Sequence, residues 1–210
     1  LFIELVGNKG NLIVPTFSYS WGENNPKKIF DVKNTKALTG IFPNFILQKK
    51  NSIRTMDPIF STAAIGHDNN YLTNNGDNSF GKDSIFNKLF EMDAKLISFG
   101  LNKFDPTFVH YVEQNYNENI SKINYRYLKK IYGTMIDYKG NLTKKNFFCF
   151  LRDMKKNKIF NEENIKKDLK KNNMYSKFKI LNGNVHLCKA TDFFDIGIAG
   201  MTKDQYYFVK

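Results

Sequence analysis

The chain has 210 residues with 41% hydrophobic content, enough to bury one sizeable core or a core with a small satellite. No apolar run is long enough to cross a bilayer as a helix, which excludes a helical membrane protein for this stretch. Basic residues outnumber acidic ones by 32 to 20, a net charge of +12 that would suit nucleic acid, anionic lipid or a phosphorylated small molecule. The lysines are scattered, densest over Lys155–Lys171, and no recognition helix or aromatic platform accompanies them. They read as a solvated face, so neither nucleic acid nor membrane is the expected partner. Cys149 and Cys188 lack metal-ligand or redox spacing and read as free buried thiols in a reducing, cytoplasmic setting.

In chain order, Leu1–Val6 followed by Gly7 reads as the end of a helix, which leads to the expectation that further residues precede Leu1. Asn11–Val14 is a short apolar strand closed by Pro15, and Thr16-Phe17-Ser18-Tyr19-Ser20-Trp21 is a loop at its C-terminal end, where ligands gather in open α/β sheets. Thr39 is placed to cap a helix running to about Lys49. Arg54 lies close enough to pair with Asp57, which Pro58 holds extended, before a strand over Thr62–Ile65 closed by Gly66. Asn69–Asn78 reads as a polar loop, Ser84–Glu91 as a helix and Ala94–Phe99 as an apolar strand ending in Gly100. Beyond Ile123 the texture changes. Tyr125–Tyr138 alternates like a strand, Phe147–Met154 reads equally as strand or helix start, and Glu162–Lys171 is a polar helix. Asn182-Gly183 marks a hairpin between Phe178–Leu181 and Val185–Cys188, followed by a helix over Ala190–Met201 and a last strand over Gln205–Val209.

The stretch Asp105–Glu113 combines an N-cap residue, Asp105, with Pro106 in the first helical turn. At 100° per residue, Phe108, Val109 and Val112 share one arc, while Thr107, His110 and Glu113 share the opposite one. An apolar stripe would hold the helix still and direct a hydroxyl, an imidazole and a carboxylate to one place. His67 reads as a surface loop residue and His186 as a structural one. His110 and Glu113 have metal-ligand spacing, but no second cluster supports a metal, so none is expected.

Five pieces occur in an order that resembles the aminoglycoside 3-N-acetyltransferase family. They are Gly10–Ser18; Phe30-Asp31 with Asn34-Thr35 and Gly40; Arg54–Gly66; Phe80–Ser84; and the T-F-x-H-x-x-E pattern of Thr107–Glu113. The match is specific to about residue 116. The resemblance implies an α/β fold, a three-layer α/β/α sandwich around a mixed sheet, here with an antiparallel, hairpin-containing C-terminal portion. It implies one acetyltransferase domain over residues 1–210 that lacks the family's first strand and a serine-containing, CoA-contacting segment. It further implies acetyl transfer from acetyl-CoA, as co-substrate, to an amino sugar, with His110 as catalytic base and Glu113 as its partner. Thr16, Phe17 and Ser18 would lie near the pantetheine arm, and Asp31 and Phe60 near the acceptor. Many drug-modifying members carry histidines where this chain has Asp57 and Phe60. The Asp-Pro-x-Phe-Ser version resembles members of surface-sugar biosynthesis, leaving the acceptor open between a surface-glycan precursor and an aminoglycoside.

On chemistry alone, imidazole suits the removal of a proton from a sugar ammonium, and Glu113 or Asp57 would fix its tautomer. Thr107 and the first-turn N–H groups are the nearest donors for the tetrahedral oxyanion. Direct transfer in a ternary complex is expected, since neither cysteine is placed to form an acyl-enzyme. A homodimer is left open. The rival readings are a basic polyanion- or RNA-binding protein using Lys155–Lys171, and an inactive family member.

Overall fold

Three apolar runs closed by glycine or proline become short strands, and runs with one buried face become helices. In the computed structural model, residues 2–210 are described and form a mixed α/β chain. The elements are α1 (Phe2–Val6), β1 (Asn11–Pro15), β2 (Ile29–Asp31), α2 (Ile41–Leu47), β3 (Ile53–Arg54), β4 (Thr62–Gly66), α3 (Asn69–Thr73) and α4 (Ile85–Glu91). They continue with β5 (Lys95–Phe99), α5 (Val109–Asn119), β6 (Arg126–Ile136), β7 (Leu142–Arg152), α6 (Glu163–Lys171), β8 (Ser176–Ile180), β9 (Gly183–Lys189) and α7 (Ala190–Lys203). Two compact units are formed, one from 1–85 with 128–149 and the other from 86–127 with 150–210, and the boundaries fall at α4 and within β6 and β7.

In the first unit β4 lies between β1 and β3, antiparallel to both, with Val14 opposite Ala63 and Arg54 also opposite Ala63. Val14, Ile46, Ala63 and Ile65 form an apolar cluster against which Leu12 and Leu47 pack. β2 runs parallel to β6 in a sheet ordered β2-β6-β7. Gly133 sits in β6 because a Cβ there would lie 2.5 Å from the Trp21 ring. That ring is buried, and its Nε1–H donates to the Thr134 carbonyl at 3.3 Å.

In the second unit β9 lies between β5 and β8, antiparallel to both. α7 packs on α5 and α6. The close approach depends on Gly197, where a Cβ would come within 3.0 Å of both Val112 and Phe208. Phe108 and Phe104 meet Phe193 edge-on, and Phe193 stacks on Phe208. α6 buries Ile165 and Leu169 and leaves its lysines outward, as a solvated face would.

Several expectations are corrected. Thr39 does not cap α2; its hydroxyl donates to the Pro15 carbonyl, and Gly40 stands at the cap position. Asn69–Asn78 is not all loop but contains α3. The hairpin turn is Leu181–Asn182 rather than Asn182-Gly183, because Ile180 already pairs with Gly183. Gly183 is needed for close approach instead: its Cβ would lie 2.9 Å from the Gly100 Cα. Gln205–Val209 forms turns ending in a single antiparallel bridge, Val209 to Phe160, not a strand. Phe147–Met154 resolves as the end of β7 followed by a 3-10 turn. Among the described residues, no helix is long and apolar enough to cross a membrane.

Candidate active site

α5 begins later than its sequence signals. The N–H groups of Val109, His110 and Tyr111 bond to the carbonyls of Pro106, Thr107 and Phe108, a tight i→i−3 entry turn. The helix cap is Phe108, and Asp105 does not cap it. These first-turn donors are therefore occupied at home, which removes them as ready oxyanion donors. The apolar arc is as expected: Phe108, Val109 and Val112 are all buried. The polar arc is not a solvent face, because Glu113 is only 1% exposed.

Burying that carboxylate requires partners. His110 Nδ1 lies 2.9 Å from Glu113 Oε2. Arg126, the first residue of β6, places Nε 2.6 Å from the same oxygen, a charge pair whose N–H is not aligned on it. Arg126 Nη1–H donates to the Phe150 carbonyl at 3.1 Å, and Nη2 lies 3.3 Å from His110 Nε2. A guanidinium only donates, so Nε2 is the accepting nitrogen and the ring proton sits on Nδ1, directed at Glu113. The Tyr125 hydroxyl also approaches Glu113.

The electrostatics follow from this packing. Burial opposes a charged imidazole, and Arg126 and, more weakly, Arg152 reinforce that against the pull of Glu113, bringing His110 down to about 4. Burial alone would raise Glu113, but Arg126 and His110 hold its carboxyl below the ordinary range. The result is a neutral imidazole between a carboxylate and a guanidinium, on a side chain that is still 19% exposed. Such a ring can accept a proton at Nε2, and the imidazolium so formed would face Glu113.

The other expected residues are placed as follows. Thr107 is half-buried and gives its carbonyl to the His110 N–H at 3.0 Å. Asp57 belongs to the first unit, and its Oδ1 accepts the Ile59 and Phe60 N–H groups at 2.8 Å each. Burial pushes that carboxyl up against these bonds. Arg54 is not spent on a salt bridge with Asp57; it donates to Thr16 Oγ1, Ser61 Oγ and the Thr16 and Thr35 carbonyls. Thr16 and Ser18 are buried with their hydroxyls on Ser61, Pro58 and Ser20. Phe17 and Phe60 meet edge-on in an aromatic cluster with Tyr19 and Phe80. Asp31 accepts from Lys33 and Asn34 and shapes its own turn. His67 is exposed beside Asp68, and His186 is buried between the Tyr175 hydroxyl and the Leu101 carbonyl. Cys149 and Cys188 are buried thiols outside any disulfide. Among the described residues, no group of three or more His, Cys, Asp and Glu side chains could hold a metal ion.

Arg126, Tyr125 and Arg152 join the site from outside the Asp105–Glu113 stretch, with no motif to announce them. A signal was present: only Arg54, Arg126 and Arg152 among the 32 basic residues are arginine. In a chain that otherwise uses lysine, a retained guanidinium marks a place needing a planar, multiply donating cation.

No curated sequence matches the chain. Solved structures do. AAC-VIa bound to sisomicin is 20% identical with a TM-score of 0.74, over 94% of this chain and 80% of its own. AAC-IIIb in a binary complex with CoASH is 17% identical with a TM-score of 0.70, over 94% and 79%. The YokD protein from Bacillus subtilis is 15% identical with a TM-score of 0.72, over 93% and 76%. At these identities the likeness is one of fold. The sequence model of aminoglycoside 3-N-acetyltransferases matches residues 1–202, nearly the whole chain, and the chain therefore belongs to that family of acyltransferase enzymes.

Proposed function

We propose that this protein transfers an acetyl group from acetyl-CoA to an amino group of an amino sugar, with His110 as the general base. The observation that carries the reading is the oriented dyad: Nδ1 of His110 is tied to buried Glu113 at 2.9 Å, which leaves Nε2 as the accepting atom. A sugar ammonium must lose a proton before it can attack a thioester, and Nε2 takes it. Glu113 then faces the imidazolium and stabilises it while holding the tautomer. Thr107, beside the entry turn of α5, is the hydroxyl this proposal assigns to the developing oxyanion. Direct transfer fits a chain whose two cysteines are both buried, with burial raising the Cys188 thiol far above its ordinary value.

The acceptor class rests on family membership and on the neighbours whose names mention sisomicin and CoASH. A surface-glycan amino sugar and an aminoglycoside both fit it. The three-layer α/β/α arrangement, the single domain over 1–210, a cytoplasmic setting and a homodimer belong to the same proposal. Thr16, Phe17 and Ser18 enter it as residues proposed for the pantetheine arm, Asp31 and Phe60 as residues proposed for the acceptor and Asp57 as a proposed orienting carboxylate, and each also makes contacts within the first unit.

The test is thiol release from acetyl-CoA with a panel of amino sugars and aminoglycosides. At least one acceptor should be turned over, and His110→Ala should lower kcat/KM on the order of 10²–10⁴-fold. Activity that survives His110→Ala undiminished overturns the assignment.

A further inference from the structure

The dyad contains a third member that the proposed reaction does not call for. Arg126 reaches two groups at once: its Nε lies 2.6 Å from Glu113 Oε2, while its Nη2 covers His110 Nε2 at 3.3 Å. Its Nη1–H is anchored on the Phe150 carbonyl at 3.1 Å. Nε2 is the very atom that a general base must present to the amine. In the resting site that atom therefore accepts a hydrogen bond from a permanent cation.

We infer that Arg126 is a displaceable cap on the base: Nη2–H holds the Nε2 lone pair in the resting site and gives way there to the acceptor's N–H as the planar guanidinium turns about its Cδ–Nε bond, which frees Nη1 from the Phe150 carbonyl while Nε stays on Glu113. This rests on the reading of His110 as general base. The acceptor's ammonium offers what Nη2 offers, a cationic N–H donor, so the exchange conserves the hydrogen bond and the sign of the charge at Nε2. The difference is that the ammonium can surrender its proton and the guanidinium cannot. One proton then moves from the amine to Nε2, the N–H bond breaks as the new one forms, and the amine keeps its electron pair for attack.

The cap also resolves a conflict in the electrostatics. A base held near 4 is too weak to work well at neutral pH, where efficient general bases titrate close to the working pH. The groups facing His110 are Glu113 on α5, Tyr125 and Arg126 at the start of β6, and Arg152 at the end of β7. Of these only Glu113 favours the imidazolium, and Arg126 is the stronger of the two cations that oppose it. Burial still opposes the imidazolium, but moving Nη2 aside removes the larger cationic opposition while Glu113 stays in place, so the base strengthens as the acceptor arrives. Arg126 acts through His110 and is a positioning residue, not a catalytic one.

The test compares wild type with Arg126→Met and Arg126→Lys, with folding checked by amide NMR spectra. The ring resonances of His110, assigned through His110→Gln, are titrated without ligand. The midpoint is expected near 4 in wild type, and about one unit higher in Arg126→Met. Arg126→Lys, which keeps the charge but not the fork, should fall between them. The acid limb of kcat, which reports the substrate complex, should lie about one unit above the free-protein midpoint in wild type. In Arg126→Met the two should coincide within half a unit. An unchanged midpoint in folded Arg126→Met overturns the cap, as does a wild-type kcat limb that matches the free-protein midpoint. If no acceptor is turned over, or His110→Ala stays active, the parent reading fails, and the ligand-free titration still decides whether Arg126 caps the ring.

Discussion

Replacing His110 by glutamine should flatten the acid limb of the protein's stability. The folded ring titrates at about 4 and an unfolded histidine at about 6.5. Between those values the unfolded chain binds a proton that the folded chain does not. Stability therefore rises with pH across the window and is lost as pH falls. Two and a half units correspond to a ceiling of about 3 kcal/mol, reached below pH 4, of which about 2 kcal/mol is lost between pH 7 and pH 5. Glutamine still donates to Glu113 and offers Arg126 an oxygen, but it does not titrate. Glu113 is held below its usual range, so its own contribution fails only at more acidic pH, outside this window. Buried Asp57, raised by desolvation, contributes the opposite slope but equally in both proteins, and it cancels in the difference. Urea unfolding at pH 5, 6 and 7 measures the effect, with the gap between the two proteins changing by about 2 kcal/mol across the range. Parallel curves, within about 0.5 kcal/mol, would refute the claim that the ring is buried neutral against Arg126.

Two further outcomes follow from the same geometry. Glu113→Gln leaves the Arg126 charge buried without its anion, so it should destabilise by about 3–5 kcal/mol and lower kcat on the order of 10²-fold or more, read by thermal unfolding and steady-state kinetics. Gly133→Ala in β6 drives a methyl group to 2.5 Å from the Trp21 ring. It should cost about 1–3 kcal/mol while leaving the His110 ring titration unmoved, as monitored by denaturation and NMR.

Local signals were read from the sequence where the chain's own chemistry decides the conformation. Apolar runs ended by Pro15, Gly66 and Gly100 became β1, β4 and β5, and the buried arc of Phe108, Val109 and Val112 holds α5. The misreadings arise where a distant partner overrides a local preference. Thr39 has the side chain of a cap, yet the Pro15 carbonyl, 24 residues away, takes its hydroxyl. Asn182-Gly183 has turn chemistry, yet Gly183 is drawn into β9 by the close passage of Gly100. Asp105 and Pro106 mark a helix start, but the tight turn through Thr107 and Phe108 delays it to Val109.

The candidate site divides along the same line. His110 and Glu113 lie three residues apart on one helix, so periodicity was enough to bring them together, and the structure joins them at 2.9 Å. Arg126 lies 16 residues from His110, at the start of a strand, and no periodicity links a helix to the strand that follows it. Its presence changes what the dyad means. A carboxylate beside an imidazole would, alone, make a stronger base, but a carboxylate shared with a guanidinium makes a neutral one that waits. Because Glu113 is 1% exposed, its charge needs a compensating cation, and Arg126 supplies it for as long as the imidazole is neutral. The same cation that stabilises the orienting carboxylate therefore also restrains the base. The two roles separate only if Nη2 can leave Nε2 while Nε remains on Glu113. Lysine at 126 could neutralise the carboxylate but could not hold both atoms at once. The choice of arginine, in a chain that uses lysine nearly everywhere else, is the one compositional trace of that double contact.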